Sequence, residues 1–105
     1  MAIAQLVQFY LPVYDNAGKP FPKSAFGQGR AELTERFGGV TAYLRSPAVG
    51  AWEDDDGDVQ RDDVLLFEVV DEAFDREWWR GYREGLCQRF GQEEVLVRAF
   101  AVELL

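Results

Sequence analysis

Three polar side chains stand where this sequence could do chemistry: Tyr10, Glu68 and Arg98. Each interrupts an apolar stretch with strand-like alternation. A phenol, a carboxylate and a guanidinium around one cavity could orient an anion or move a proton. The plainer reading is a cross-strand ion pair tied to an interface. Either reading requires the strands that carry these residues to be neighbours or near neighbours.

The other reactive types argue mainly by exclusion. Histidine is absent, which removes the usual base near pH 7 and the commonest metal and haem ligand. Cys87 is the single cysteine, so neither an intrachain disulfide nor a cysteine metal cluster can form. The acidic run Asp54-Asp55-Asp56-Gly57-Asp58 suggests calcium. With Gly57 in the sixth position of such a loop, however, the first would be Trp52 and the twelfth Asp63, so it reads as a hairpin tip. Gly27, Gly29, Gly38 and Gly39 form no phosphate-binding pattern between a strand and a helix start. Trp78 and Trp79 could stack on sugars or bases, but at helical spacing they read as core, with Trp79 near the flank. No cofactor and no metal is expected.

The chain has 105 residues, 48% apolar and 29% charged, with three Trp, four Tyr and eight Phe. That is enough for one core, so residues 1–105 form a single domain. A net charge of −8 disfavours direct contact with nucleic-acid phosphates, which takes clustered Lys and Arg. No run is apolar for long enough to span a bilayer. No basic region followed by an apolar run opens the sequence, and a reducing cytoplasm is the expected location.

These side chains must be positioned by six elements. Residues 74–92 carry the strongest signal. Phe74, Trp78, Trp79, Tyr82, Leu86 and Phe90 fall on one side of a helix, and Asp75, Arg76, Glu77, Arg80, Glu84 and Gln88 cover most of the other. Gly91 suits a left-handed helix end. Residues 4–14 read as a first strand, bending or reaching an edge near Pro12. Ser24 can cap a helix to Phe37, with Gly27 and Gly29 allowing close approach to a neighbour. Residues 40–53 and 59–70 read as a hairpin around the Asp-Gly turn, with Pro47 and Gly50 in the outgoing strand. Residues 94–105 form a last strand whose two faces both look covered.

An internal echo supports this order. Arg36-Phe37-Gly38 and Arg89-Phe90-Gly91 each close a helix and lead into a strand. Two strand-helix-strand units with right-handed crossovers give an α+β, ferredoxin-like βαββαβ sandwich. Its four-stranded antiparallel sheet has the first and third strands in the middle and both helices on one face. The other face is left open. It carries Tyr10 and several of Leu66, Leu96, Phe100 and Val102 among Gln8, Glu68 and Arg98. A bare patch of that character marks a partner or ligand. Homodimerisation through this face, enclosing a small-ligand cavity, is the expected use. Gln8, Leu66, Leu96 and Phe100, with Trp52 beside the acidic turn, are the interface candidates; Tyr10, Glu68 and Arg98 are the ligand-binding candidates.

The run Phe37-Gly38-Gly39-Val40-Thr41, then Gly50-Ala51-Trp52 before the acidic turn, resembles a family of short bacterial proteins of unknown function. So does Arg89-Phe90-Gly91-Gln92-Glu93-Glu94-Val95-Leu96, the most specific part of the match. Val40 stands where that family has Leu, and many members carry an export or lipoprotein signal that this sequence lacks. The resemblance spans residues 37–97 and implies a ferredoxin-like domain without an established activity.

The leading functional expectation is a non-catalytic interaction or small-ligand-binding domain. One alternative is a cofactor-free enzyme of the dimeric α+β barrel kind, with Tyr10, Glu68 and Arg98 lining its cavity. Another is an acidic mimic of nucleic acid that occupies a basic partner.

Overall fold

The computed structural model describes residues 2–45 and 63–105. Its elements run β1 (Ala2–Pro12), α1 (Lys23–Phe37), β2 (Thr41–Arg45), β3 (Val64–Asp71), α2 (Arg76–Arg89) and β4 (Val97–Leu104). The strands make one sheet in the order β2-β3-β1-β4, antiparallel throughout. This is the expected α+β, ferredoxin-like arrangement, with β1 and β3 in the middle. The acidic turn lies outside the described residues, as do Pro47, Gly50 and Trp52.

Local chemistry sets the ends of α2. The Asp75 carboxylate accepts from the backbone N–H of Glu77 (3.1 Å) and Trp78 (3.2 Å), satisfying donors that a first turn leaves unpaired. At the other end Gly91 takes a φ of 59°. The Gln92 N–H then reaches back to the Cys87 carbonyl at 2.9 Å, the Schellman arrangement. Gly38 ends α1 with a φ of 84°, donating to Thr34. The Arg-Phe-Gly echo is thus a repeat of backbone geometry: in each copy glycine takes the left-handed position that a side chain would strain.

The start of α1 differs from expectation. Pro22, its φ held at −64°, precedes the helix and no side chain caps it; Ser24 sits inside the first turn. β1 ends at Pro12, which still pairs with Val64, and the Val13 N–H donates to the Asp63 carbonyl at 3.0 Å just beyond it.

The helix-side face of the sheet presents Val7, Phe9, Leu11, Phe67 and Val69. They pack against Phe26 and Leu33 of α1 and Trp79 and Leu86 of α2. Phe9 and Phe67 are register partners with rings stacked 5.1 Å apart. Each such buried side chain contributes roughly 1.5–3 kcal/mol. Trp79 is core and not flank: it is 4% exposed and donates its indole N–H to Asp71 at 2.8 Å. Trp78, half-buried, stacks on Tyr82 and lies under Arg36.

β4 corrects one expectation. Its residues alternate between two apolar sets, yet none is buried, and Ala99 and Ala101 on its helix side are exposed. α2 covers β1 and leaves this edge strand largely bare on both faces. Val95, just before β4, is the residue that enters the core.

Candidate functional site

The side of the sheet away from the helices is defined by register. Gln8 pairs with Glu68 of β3 on one side and with Arg98 of β4 on the other. All three side chains therefore stand in one row on one face. The next pair positions on β1 place Tyr10 beside Leu66 and Leu6 between Val70 and Phe100. On β2, Thr41 faces Glu68 and Tyr43 faces Leu66.

The row is continuously bonded. Gln8 donates its amide to Glu68 at 2.5 Å and accepts from Arg98 Nε at 2.9 Å. Arg98 Nη2 donates to the Tyr10 hydroxyl at 2.9 Å, and its guanidinium lies 5.6 Å from the Tyr10 ring centre. At the far end Tyr43 bonds to Glu68. The Glu68 charge, then that bond, raises the Tyr43 hydroxyl above its ordinary value of 10.0, because a phenolate would face a carboxylate. The order Tyr43, Glu68, Gln8, Arg98, Tyr10 crosses all four strands.

The expected direct ion pair is absent. β1 lies between β3 and β4, so Glu68 and Arg98 are two strand spacings apart, about 10 Å. The Gln8 amide offers a donor to one and an acceptor to the other. Of the expected ligand-binding residues, Tyr10 and Arg98 touch, and Glu68 joins them only through Gln8.

The interface candidates divide. Phe100 (46% exposed) and Leu96 (54%) are open, as are Val70 and Tyr43, which the sequence reading did not single out. Leu66 (6%) and Gln8 (8%) are already buried in the single chain and have little surface left to give. Trp52 lies outside the described residues, as do most carboxylates on which the mimic reading depends. The signal for Tyr43 was present: it alternates with Thr41 in the strand that flanks Glu68. An open hollow of about 440 Å³, lined by Leu6, Thr41, Glu68 and Val70 among others, adjoins the row.

A second polar cluster joins the helices. Arg89 grips Glu32 through two bonds of 2.8 Å, and Tyr82 donates to the same carboxylate at 3.1 Å. Arg89 holds Glu32 below the ordinary carboxylate value, while burial and then the Glu32 charge push Tyr82 far up. This clamp ties α1 to α2 and is structural. Among the described residues no group of carboxylates and cysteine could hold a metal, and no helix is long and apolar enough to cross a membrane.

The fold is similar to that of a phage SAM lyase solved in complex with S-methyl-5'-thioadenosine. The two chains superpose with a TM-score of 0.52 at 11% identity, over 96% of this chain and 90% of that one. The likeness is one of fold. No family model matches the chain, and a comparison with curated proteins found no match.

Proposed function

We propose that this domain is a small-ligand-binding module that works as a homodimer, two open sheet faces meeting around the polar row. The observation that carries the reading is the row itself. Its Glu68 and Arg98 ends have opposite charge, and exposed Leu96, Phe100, Val70 and Tyr43 frame it.

The charge order favours a second copy over an unrelated surface. A two-fold axis parallel to β1 and passing by Gln8 lays each Glu68 over the other chain's Arg98. An axis along the row would set like over like. An isologous contact of the first kind neutralises both ends. It also repays part of the desolvation that a buried ion otherwise costs.

The ligand would sit where the faces part, at the hollow beside Glu68. The Phe37 ring lines that hollow, and Glu68 offers a carboxylate acceptor there, its direction held by the Gln8 amide. The similarly folded lyase holds S-methyl-5'-thioadenosine, so that nucleoside is the first probe to try.

Light scattering tests the assembly. The wild-type chain is expected at twice its 12.0 kDa. Phe100→Asp, which sets a charge on the open face, is expected to run as a folded monomer. A wild-type monomer across the micromolar range would sink the reading.

A further inference from the structure

A second groove lies on the opposite side of the sheet. It runs between α2 and the uncovered helix side of β4, with a volume of about 420 Å³, within the range of small-molecule sites. Val7, Trp79, Val97 and Ala99 line its apolar part. The cavity exists because β4 presents Ala99 there, opposite Val7, where a larger side chain would fill it.

Its polar wall is basic in a chain of net charge −8. Arg76, Arg80 and Arg83 all line the groove. Their spacing puts them on one stripe of α2, beside the buried Trp79. Arg80 is engaged by Glu77 at 2.9 Å, and Glu84 is the one acidic residue in the lining. Arg76 lies against the Phe74 ring, 5.6 Å from its centre. No hydrogen bond or ion pair to either Arg76 or Arg83 is made among the described residues, and Arg83 is half-buried. Two guanidiniums are thus free to act, and Gln5, another lining residue, adds an amide.

We infer that this groove binds a phosphate monoester carrying a planar apolar group. Two uncommitted guanidiniums match the two charges and the several acceptor oxygens of such a phosphate, each able to donate in parallel pairs. The apolar part beside Trp79 takes the organic group. Free phosphate would satisfy the arginines and leave that part wet. A carboxylate would leave one guanidinium unmatched. Arg98 also borders the groove, but its guanidinium is committed to Gln8 and Tyr10 of the sheet-face row; the two sites share no other residue of that row.

The test is titration of the full chain with phenyl phosphate, followed by the indole N–H resonance of Trp79 in a nitrogen-labelled sample and by calorimetry. Saturable binding with a Kd of about 1 mM or tighter is expected, with weaker binding of inorganic phosphate and of benzoate. Arg83→Ala is expected to weaken phenyl phosphate about tenfold or more, the loss of a charge-assisted contact. Arg30→Ala, an exposed cation on α1, should leave it unchanged. Ala99→Leu fills the groove without touching an arginine and should also abolish binding. Equal losses in Arg83→Ala and Arg30→Ala would mean diffuse charge attraction and overturn the inference. So would a Trp79 resonance that does not move, or benzoate binding as tightly as phenyl phosphate. Phe100→Asp should bind phenyl phosphate like wild type, whatever its mass.

Discussion

Glu68 and Arg98 do not touch; the Gln8 side chain stands between them, donating to one and accepting from the other. An amide can do this because its two ends differ in sense. Gln8→Leu keeps the bulk and removes both bonds, while Glu68 keeps Tyr43 and Arg98 keeps Tyr10. The expected cost is about 1–3 kcal/mol in urea unfolding. Gln8→Glu keeps an acceptor for Arg98 but sets a second carboxylate against Glu68, so its cost relative to wild type should be greater at neutral pH than at pH 4. An equal cost at both pH values would break the proposed geometry.

Tyr43 reports on the same row from its other end. Its hydroxyl is raised because Glu68 is charged and bonded to it. Glu68→Gln removes that charge, so the Tyr43 titration should move down toward the ordinary tyrosine value. Following the phenolate by absorbance or by ring resonances at alkaline pH would show it. No movement would place Tyr43 away from Glu68.

The helix clamp gives stability a pH profile with two limbs. Tyr82 ionises near 10.0 in an unfolded chain and far higher when folded. Its contribution is full below pH 10 and is lost as pH rises toward the folded value. Glu32 works in the opposite sense: held below 4.5 by Arg89, it contributes above its ordinary value, and the contribution fades as pH falls through the folded one. The Arg89 and Glu32 side chains are 32% and 35% exposed, so Glu32→Gln should cost at most about 1 kcal/mol at neutral pH. Urea melts across pH should show the acid limb flattened in that variant.

Two glycines in α1 should behave differently. A Cβ at Gly27 would meet nothing within 4 Å, whereas one at Gly29 would lie 3.4 Å from the Tyr82 hydroxyl. Only Gly29 therefore serves the close approach expected of both. Gly27→Ala should raise stability by about 0.5–1 kcal/mol through helix propensity alone. Gly29→Ala should gain less, because it presses on the hydroxyl that bonds Glu32. Thermal melts of the two variants decide it.

Much of the architecture was written locally. The aromatic stripe of α2, the Asp75 start and the Gly38 and Gly91 ends follow from helical period and cap chemistry acting within a few residues. Alternation along β1 separated Gln8 and Tyr10 from Phe9, and the repeated strand-helix-strand unit implied the topology. The site was only half legible. That Tyr10, Glu68 and Arg98 share a face followed from pattern. That Gln8 stands level with both Glu68 and Arg98 depends on register between strands some sixty and ninety residues apart in sequence. Register is chosen by long-range packing such as the Phe9 and Phe67 stack. The bare helix side of β4 was hidden for the same reason. An apolar alternating strand looks alike whether or not a helix covers it, and where α2 lies across the sheet is decided by what Trp79 packs against. The sequence by itself determined the elements, their order and the alternation of side chains along each strand, because those depend on neighbours along the chain. Tertiary structure alone decided which polar groups meet and where the sheet is left uncovered, because those depend on neighbours in space.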